Sequence, residues 1–321
     1  MKGDFIMKNK KVIINILVVL ICIAVCIGCY FLYNSLTKGN TETVKKAAEE
    51  KISTDPLFTD EDYPIVDGST ATIPLAEAFE ANFKAKDVDE VEISHSKTHN
   101  AYVKLIDGDV DLILVTEPSE DALELAEEND VELEVIKVVN EGFVFFINST
   151  NSVKSLTLEQ IQDIYAGEIT NWKEVGGEDE EIIAYQRPVN SGSQTGMLSL
   201  VMKDKKIADA PTENIAMEMT DIIDVVSDYE NNSGAIGYSY YYYANTMYLS
   251  DDIELLAVDG VKPNNDTIKE GEYPIQTAYY IVIRKDEPEN SKTRELVEAM
   301  LSTRGQLAAE NAGYVPLGKG E

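Results

Sequence analysis

After residue 29 this 321-residue chain contains no cysteine: Cys22, Cys26 and Cys29 are its only three. No disulfide can staple the body, whose stability must come from a packed core. Histidine is almost as scarce, with His95 and His99 on one short stretch. No His/Cys/Asp group has metal-site spacing, and the acidic residues form no D-x-D-x-D-G run, so they read as solvated surface rather than calcium loops. A G-x-S-x-G elbow is also missing. Positive charge is the third shortage: 27 Lys and Arg against 58 Asp and Glu leave a formal net charge of -31. Such a surface repels a polyanion, which excludes nucleic acid as a partner. A small anion is not excluded, because oriented N–H and hydroxyl donors with one arginine act at close range while distant charge is screened within about 10 Å.

What is present is ordinary globular material, 44% hydrophobic and 26% charged, enough for one large or two medium domains. Lys8 to Lys11 (KNKK) precede an apolar run from Val12 to Tyr33 in which Asn15 is the one strongly polar residue. A basic region before such a run is an export signal or membrane anchor, and the run is long enough to span about 30 Å of bilayer. Residues 1–34 are therefore expected to be the signal or anchor and 35–62 a polar tether, with the body on the extracytoplasmic face of the cell membrane. Gly28-Cys29 resembles a lipobox, which makes Cys29 a lipidation candidate, although Cys26 stands where that pattern prefers Leu.

The body alternates strand and helix patterns, the mark of an α/β fold. The expected elements are a helix from Leu75 to about Lys86, a strand Val91–Ser94, and a helix through Tyr102, Leu105 and Ile106. Asp111–Thr116 is a continuous apolar run of the kind that forms a buried strand. A helix Ser119–Asn129 and a strand Glu132–Val138 follow, then a separate strand Gly142–Asn148. Leu156–Tyr165 has helical spacing with Thr157 as cap. Further on come a strand Ile182–Tyr185, helices Gly196–Val201 and Asp221–Asp228, and a turn into a strand at Gly234–Tyr238. Tyr240–Tyr243 reads as an amphipathic surface segment with half-buried rings. Ala278–Ile283 is apolar on both faces and belongs in mid-sheet, and Lys292–Glu310 reads as one terminal helix.

Two stretches carry chemistry. Gln186–Met197 (QRPVNSGSQTGM) sets an arginine's fork of donors just before a Ser/Gly-rich turn that opens a helix, which is half of an anion cradle. Val66–Pro74 (VDGSTATIP) has the same small, hydroxylated character ahead of a helix, without the arginine. Caps and turns also look like this; the doubling and the arginine favour a ligand. Thr116 and Glu117 fall at the carboxyl end of the buried strand, where such sheets hold ligands. His99 could add a positive donor, while His95 reads as a solvent-facing loop residue.

Taken together, Asp67–Pro74, Leu158–Gly177 (LEQIQDIYAGEITNWKEVGG), Arg187–Gly196, Gly234–Ala244, Val258–Pro263, Tyr273–Lys285 and Gly305–Leu317 resemble, in order, the phosphate-binding receptors of bacterial ABC phosphate uptake systems. These are PstS-like members of the type II periplasmic-binding-protein superfamily. The resemblance implies two α/β lobes, 63–145 with 276–321 and 146–275, joined by two hinge strands near Phe143–Ile147 and Ala278–Ile283. The ligand, inorganic phosphate or a similar oxyanion, would be bound between them and passed to an ABC permease. It also implies site residues. Thr72 with the Ser69–Ile73 backbone, Thr70 and Ala71 included, forms one cradle. Arg187, Ser191, Gly192 and Ser193 form the other, and the Thr98–Asn100 turn stands where the family places a further serine. The family's Ser-Asp pair, whose aspartate accepts a hydrogen bond from protonated phosphate, is matched here by Thr116-Glu117, which leaves selectivity open between phosphate and other oxyanions.

The expected activity is capture without chemistry, with no cofactor and no metal. One alternative is a receptor of the same fold retuned for another oxyanion or for signalling. The other, a serine hydrolase on Ser191 or Ser193, has only two histidines on one loop to supply a base.

Overall fold

The computed structural model describes residues 54–228, 233–248 and 250–318. The expected anchor 1–34, Cys29 and the tether as far as residue 53 lie outside these. Among the described residues no helix is long and apolar enough to cross a membrane.

Strand β1 (Val66–Gly68) runs through a 3-10 turn, Thr70–Thr72, into α1 (Ile73–Lys84). Pro74 sits in the first turn of α1, where a missing N–H costs nothing. Leu75, Phe79 and Phe83 recur on its buried face, and the two phenyl rings stack at 5.6 Å. Then come α2 (Thr98–Asp107), β2 (Leu112–Val115), α3 (Glu120–Glu128) and β3 (Leu133–Asn148). The middle of the chain holds β4 (Ser155–Leu156), α4 (Leu158–Tyr165), β5 (Ile183–Ala184), α5 (Gly192–Gly196), α6 (Met219–Ser227), β6 (Ala235–Tyr240), β7 (Ile253–Leu255), β8 (Ala257–Val258) and α7 (Asn265–Lys269). β9 (Gln276–Arg284), α8 (Lys292–Leu301) and α9 (Thr303–Asn311) follow.

The main sheet has the order β1-β2-β9-β3-β6-β5, with β7 also on β3. Its axis is β3. Residues Leu133–Gly142 pair antiparallel with β9, whereas Phe143–Ile147 pair with β6. The partner changes between Gly142 and Phe143, and Phe143 donates its N–H to Ile275 just before β9 begins (3.0 Å). We call the β1-β2-β9 side the first half and the β6-β5 side the second. Phe143 to Ile147 are fully buried and carry the core through the junction. Ala278–Ile283 lies in mid-sheet as expected, flanked by β2 and β3. It pairs wholly within the first half, so the change of partner falls ahead of it, at Ile275–Gln276.

Several expectations are corrected. Val91–Ser94 is unpaired chain; Ile93 packs on the core and satisfies the alternating pattern without a ladder. The two strands expected at Glu132–Val138 and Gly142–Asn148 are one strand with a bulge at Lys137/Val139. Its polar middle is used rather than looped out: Asn140 donates its N–H to Val315 O (2.8 Å) and its Nδ2 to Pro316 O (3.0 Å). The helix after the second cradle begins at Gly192, not Gly196, and continues in a wider turn through Met197–Met202. The terminal helix breaks at Ser302, whose extended backbone (φ -65°, ψ 163°) and hydroxyl cap α9 by accepting from Gly305 N.

The largest correction concerns Tyr240–Tyr243, which is buried throughout. Tyr242 stacks on Tyr314 at 3.6 Å, and Tyr240 and Tyr279 approach at 5.6 Å. Beneath them lies Glu141, 1% exposed. Its carboxylate accepts from Gly142 N (2.8 Å) and Tyr242 N (3.3 Å), which ties the first half to the second. Burial raises its pKa to about 8 against the pull of the Gly142, Tyr242 and Tyr241 N–H groups and the Tyr279 hydroxyl.

Candidate anion-binding site

A cleft of about 260 Å³ opens between the two halves. The first half contributes Ser69, Thr70 and Ala71 after β1, Thr98, His99 and Asn100 in the first turn of α2, and Thr116 at the carboxyl end of β2. The second half contributes Arg187 and the turn Ser191, Gly192 and Ser193. The stretch expected as a Thr98–Asn100 turn is thus the start of a helix, whose first N–H groups have no partner within it.

The two sides come very close. A β-carbon at Gly192 would stand 2.7 Å from Thr116 Oγ1 and 2.8 Å from Thr98 Oγ1, so glycine is what lets the three groups meet. Ser191 caps α5, its Oγ accepting from Gln194 N (3.2 Å). Tyr240 donates its hydroxyl to Gly192 O (2.9 Å), and Tyr314 donates to Ala71 O (2.7 Å). Each cradle is therefore pinned by a tyrosine of the buried cluster at the junction.

Arg187 is held by several partners yet keeps one donor idle. Its N–H donates to Tyr238 Oη (3.0 Å) and Gln194 Oε1 (3.1 Å), Tyr238 also donates its hydroxyl to Gln194 Oε1, and Arg187 Nη1 donates to Ala216 O (2.6 Å). The residue is 8% exposed, and its buried Nε has no partner among the described residues. Burial pulls its pKa down, opposed by Tyr238 and by the charges of Glu218 and Asp221. A buried guanidinium with an idle donor is costly unless an acceptor arrives.

Behind the first cradle Asp67, 3% exposed, accepts from Gly68 N (2.7 Å), Ser96 N (2.7 Å), Ser96 Oγ (2.6 Å) and Lys104 Nζ (2.9 Å). Burial raises its pKa, but the hydrogen bonds from Lys104, Ser96 and Gly68 outweigh it and hold the carboxylate below its usual range. His95 is not the solvent-facing residue expected. Its Nδ1 lies 2.9 Å from Ser69 O, and since a carbonyl only accepts, Nδ1 carries the proton. Burial lowers its pKa, so the ring is a neutral brace under the cradle.

Two expected residues are not brought to the cleft. Thr72 turns inward, donating its Oγ1 to Leu114 O (2.7 Å) to fasten the turn onto β2. Glu117 accepts from Tyr280 Oη (2.8 Å) and does not line the cleft. Conversely, Lys97, Met217, Glu218, Met219 and Tyr240 line it without having been expected, and Pro188 and Asn190 join them from within the Gln186–Met197 stretch. Tyr240 belongs to the Gly234–Ala244 segment but was expected on the surface. Lys97 carried no signal: its backbone (φ 75°, ψ 159°) lies in a region that is almost exclusively glycine's, at a cost of roughly 1–3 kcal/mol. Among the described residues no group of His, Cys, Asp and Glu could hold a metal ion.

Residues 39–303 match the model of a family described as the PBP superfamily domain. The chain belongs to the PBP superfamily. Its architecture is accordingly the two-lobed type II periplasmic-binding-protein fold, an α/β fold with the cleft between lobes. The phosphate-binding protein PstS of Bacillus subtilis is 26% identical over 318 residues, covering 97% of this chain and 95% of that protein. PstS of Staphylococcus haemolyticus is 27% identical over 259 residues, 78% of this chain and 79% of that one. Among solved structures, a candidate phosphate ABC transporter substrate-binding protein from Clostridium perfringens, with phosphate bound, superposes with a TM-score of 0.63 at 24% identity, covering 79% of this PBP superfamily chain and 98% of its own. An ABC-type phosphate transport receptor from Vibrio cholerae gives 0.60 at 21%, covering 78% and 98%. At these identities the structures speak for the fold.

Proposed function

We propose that this protein captures inorganic phosphate, or a similar tetrahedral oxyanion, in the cleft and delivers it to an ABC permease, without chemistry of its own. The observation that carries the reading is the buried Arg187, which keeps its Nε unpartnered and lines the cleft together with the hydroxyl-bearing Ser69, Thr70, Thr98, Thr116, Ser191 and Ser193. Such a set neutralises a compact oxyanion by charge-assisted hydrogen bonds from several directions. The names of the curated relatives point the same way. The ligand contacts are Ser69, Thr70, Ala71, Thr98, His99, Thr116, Arg187, Ser191, Gly192 and Ser193. The lobes, 63–142 with 276–321 and 143–275, close by bending where β3 changes partner. Residues 1–34 hold the body at the extracytoplasmic face of the membrane, by Cys29 lipidation or by the apolar run itself.

Calorimetric titration of the protein with phosphate and then sulfate near pH 7 tests this. Binding of phosphate is expected in the wild type and none in Arg187→Ala, because the variant removes the guanidinium from the cleft. Equal affinity in both proteins would show that the site is misassigned. Binding of neither anion would leave the fold standing and favour a receptor retuned for another ligand.

A further inference from the structure

Lys97 and Glu218 face each other across the cleft, one from each half. Lys97 precedes α2 and Glu218 precedes α6, which packs on β6. Lys97 Nζ donates to both carboxylate oxygens, at 2.7 and 2.8 Å. Other ion pairs, such as Lys104–Asp67 and Lys205–Asp163, lie within one half.

The second observation is the backbone of Lys97. A lysine has no conformational reason to occupy a region suited to glycine, and the chain there is held from both sides. Asp67 grips Ser96 before it, and Ala101 N donates to Lys97 O (2.9 Å) as α2 begins after it. Glycine would satisfy the backbone better, so what this position gains from lysine is the ammonium group at the end of the side chain.

We propose that Lys97 and Glu218 form a latch that holds the two halves closed over the bound anion. They are positioning residues, setting how long the anion stays rather than contacting it in Arg187's place. The latch rests on the capture reading only for the identity of the anion. Both side chains are more than half exposed, so the pair is worth no more than an exposed ion pair, which limits its effect to about fivefold in release rate.

The test uses the full chain in detergent with radiolabelled inorganic phosphate released into an unlabelled chase. In parallel, amide hydrogen exchange is followed over residues 97–101 and 190–196 without added anion. Glu218→Gln and Lys97→Met should each release phosphate about three- to fivefold faster and exchange faster in both segments. High salt should speed release from the wild type more than from Glu218→Gln. Combining Lys97→Glu with Glu218→Lys should restore slow release. Lys97→Gly separates latch from scaffold, because it should raise the melting temperature by relieving the backbone while still speeding release and exchange. Wild-type exchange in Glu218→Gln overturns the latch, as does Lys97→Gly that is more stable yet retains phosphate as well as the wild type. If the wild type holds no phosphate, the ligand assignment falls, and the exchange measurements alone decide the latch.

Discussion

Glu141 is the group in this protein whose ionisation should be most visible in stability. Replacing it by Gln keeps its shape and removes the charge. In the folded protein its pKa rises from 4.5 to about 8. At about 1.4 kcal/mol for each unit, the shift corresponds to roughly 5 kcal/mol, a ceiling because relaxation and water entry reduce it. The sign follows from the direction of the shift. The folded state favours the protonated acid, so the stability Glu141 contributes is complete below pH 4.5, is lost as pH rises, and is gone above pH 8. Urea unfolding of the wild type and Glu141→Gln at intervals from pH 5 to pH 9 reads this directly. Other titrating groups are common to both proteins and cancel in the difference. That difference should move in favour of Glu141→Gln with rising pH, by up to about 1.4 kcal/mol per pH unit below pH 8, and then level off. A difference constant to within about 0.5 kcal/mol from pH 5 to pH 8, the usual additivity error, would refute the assignment of a neutral acid at the junction.

The remaining predictions concern the cleft. Gly192→Ala should fold normally, since alanine suits a helical turn, yet bind phosphate at least about tenfold more weakly, the equivalent of about 1.4 kcal/mol, because its β-carbon would stand 2.7 Å from Thr116 Oγ1. Calorimetry on the folded variant decides it, and unchanged affinity would mean the halves need not approach this closely. Glu117→Gln should leave the ratio of phosphate to sulfate affinity unchanged, because Tyr280 engages that carboxylate away from the cleft. A collapse of the ratio would place Glu117 in the site.

What sequence reasoning reached was whatever local chemistry decides. Thr157 caps α4 as expected, with Gln160 as its reciprocal partner, and both hydroxylated turns precede helices. Leu112–Val115 is buried on both faces, as its unbroken apolar run required. The misses depend on partners far away in the chain. Glu117 turns to Tyr280, and Thr72 to Leu114, for hydrogen bonds that no neighbouring residue announces. Four tyrosines in a row gave no hint of burial, because their shelter is assembled from Glu141, Tyr279 and Tyr314. The Lys97 backbone was invisible for the opposite reason: its strain is imposed by Asp67 and α2 against the residue's own preference.

The place where β3 changes partner has a consequence for how the chain is laid out in space. Gly142 and Gln276 are ladder partners, so everything between them leaves the first half and re-enters it one strand's width away. The second half is, in path, an excursion from a hairpin. A short turn joining Gly142 to Gln276 would close β3 and β9 as an ordinary antiparallel pair, leaving the first half an uninterrupted chain. The second half has no such independence, because its central strand, Phe143–Asn148, is the continuation of a strand rooted in the first.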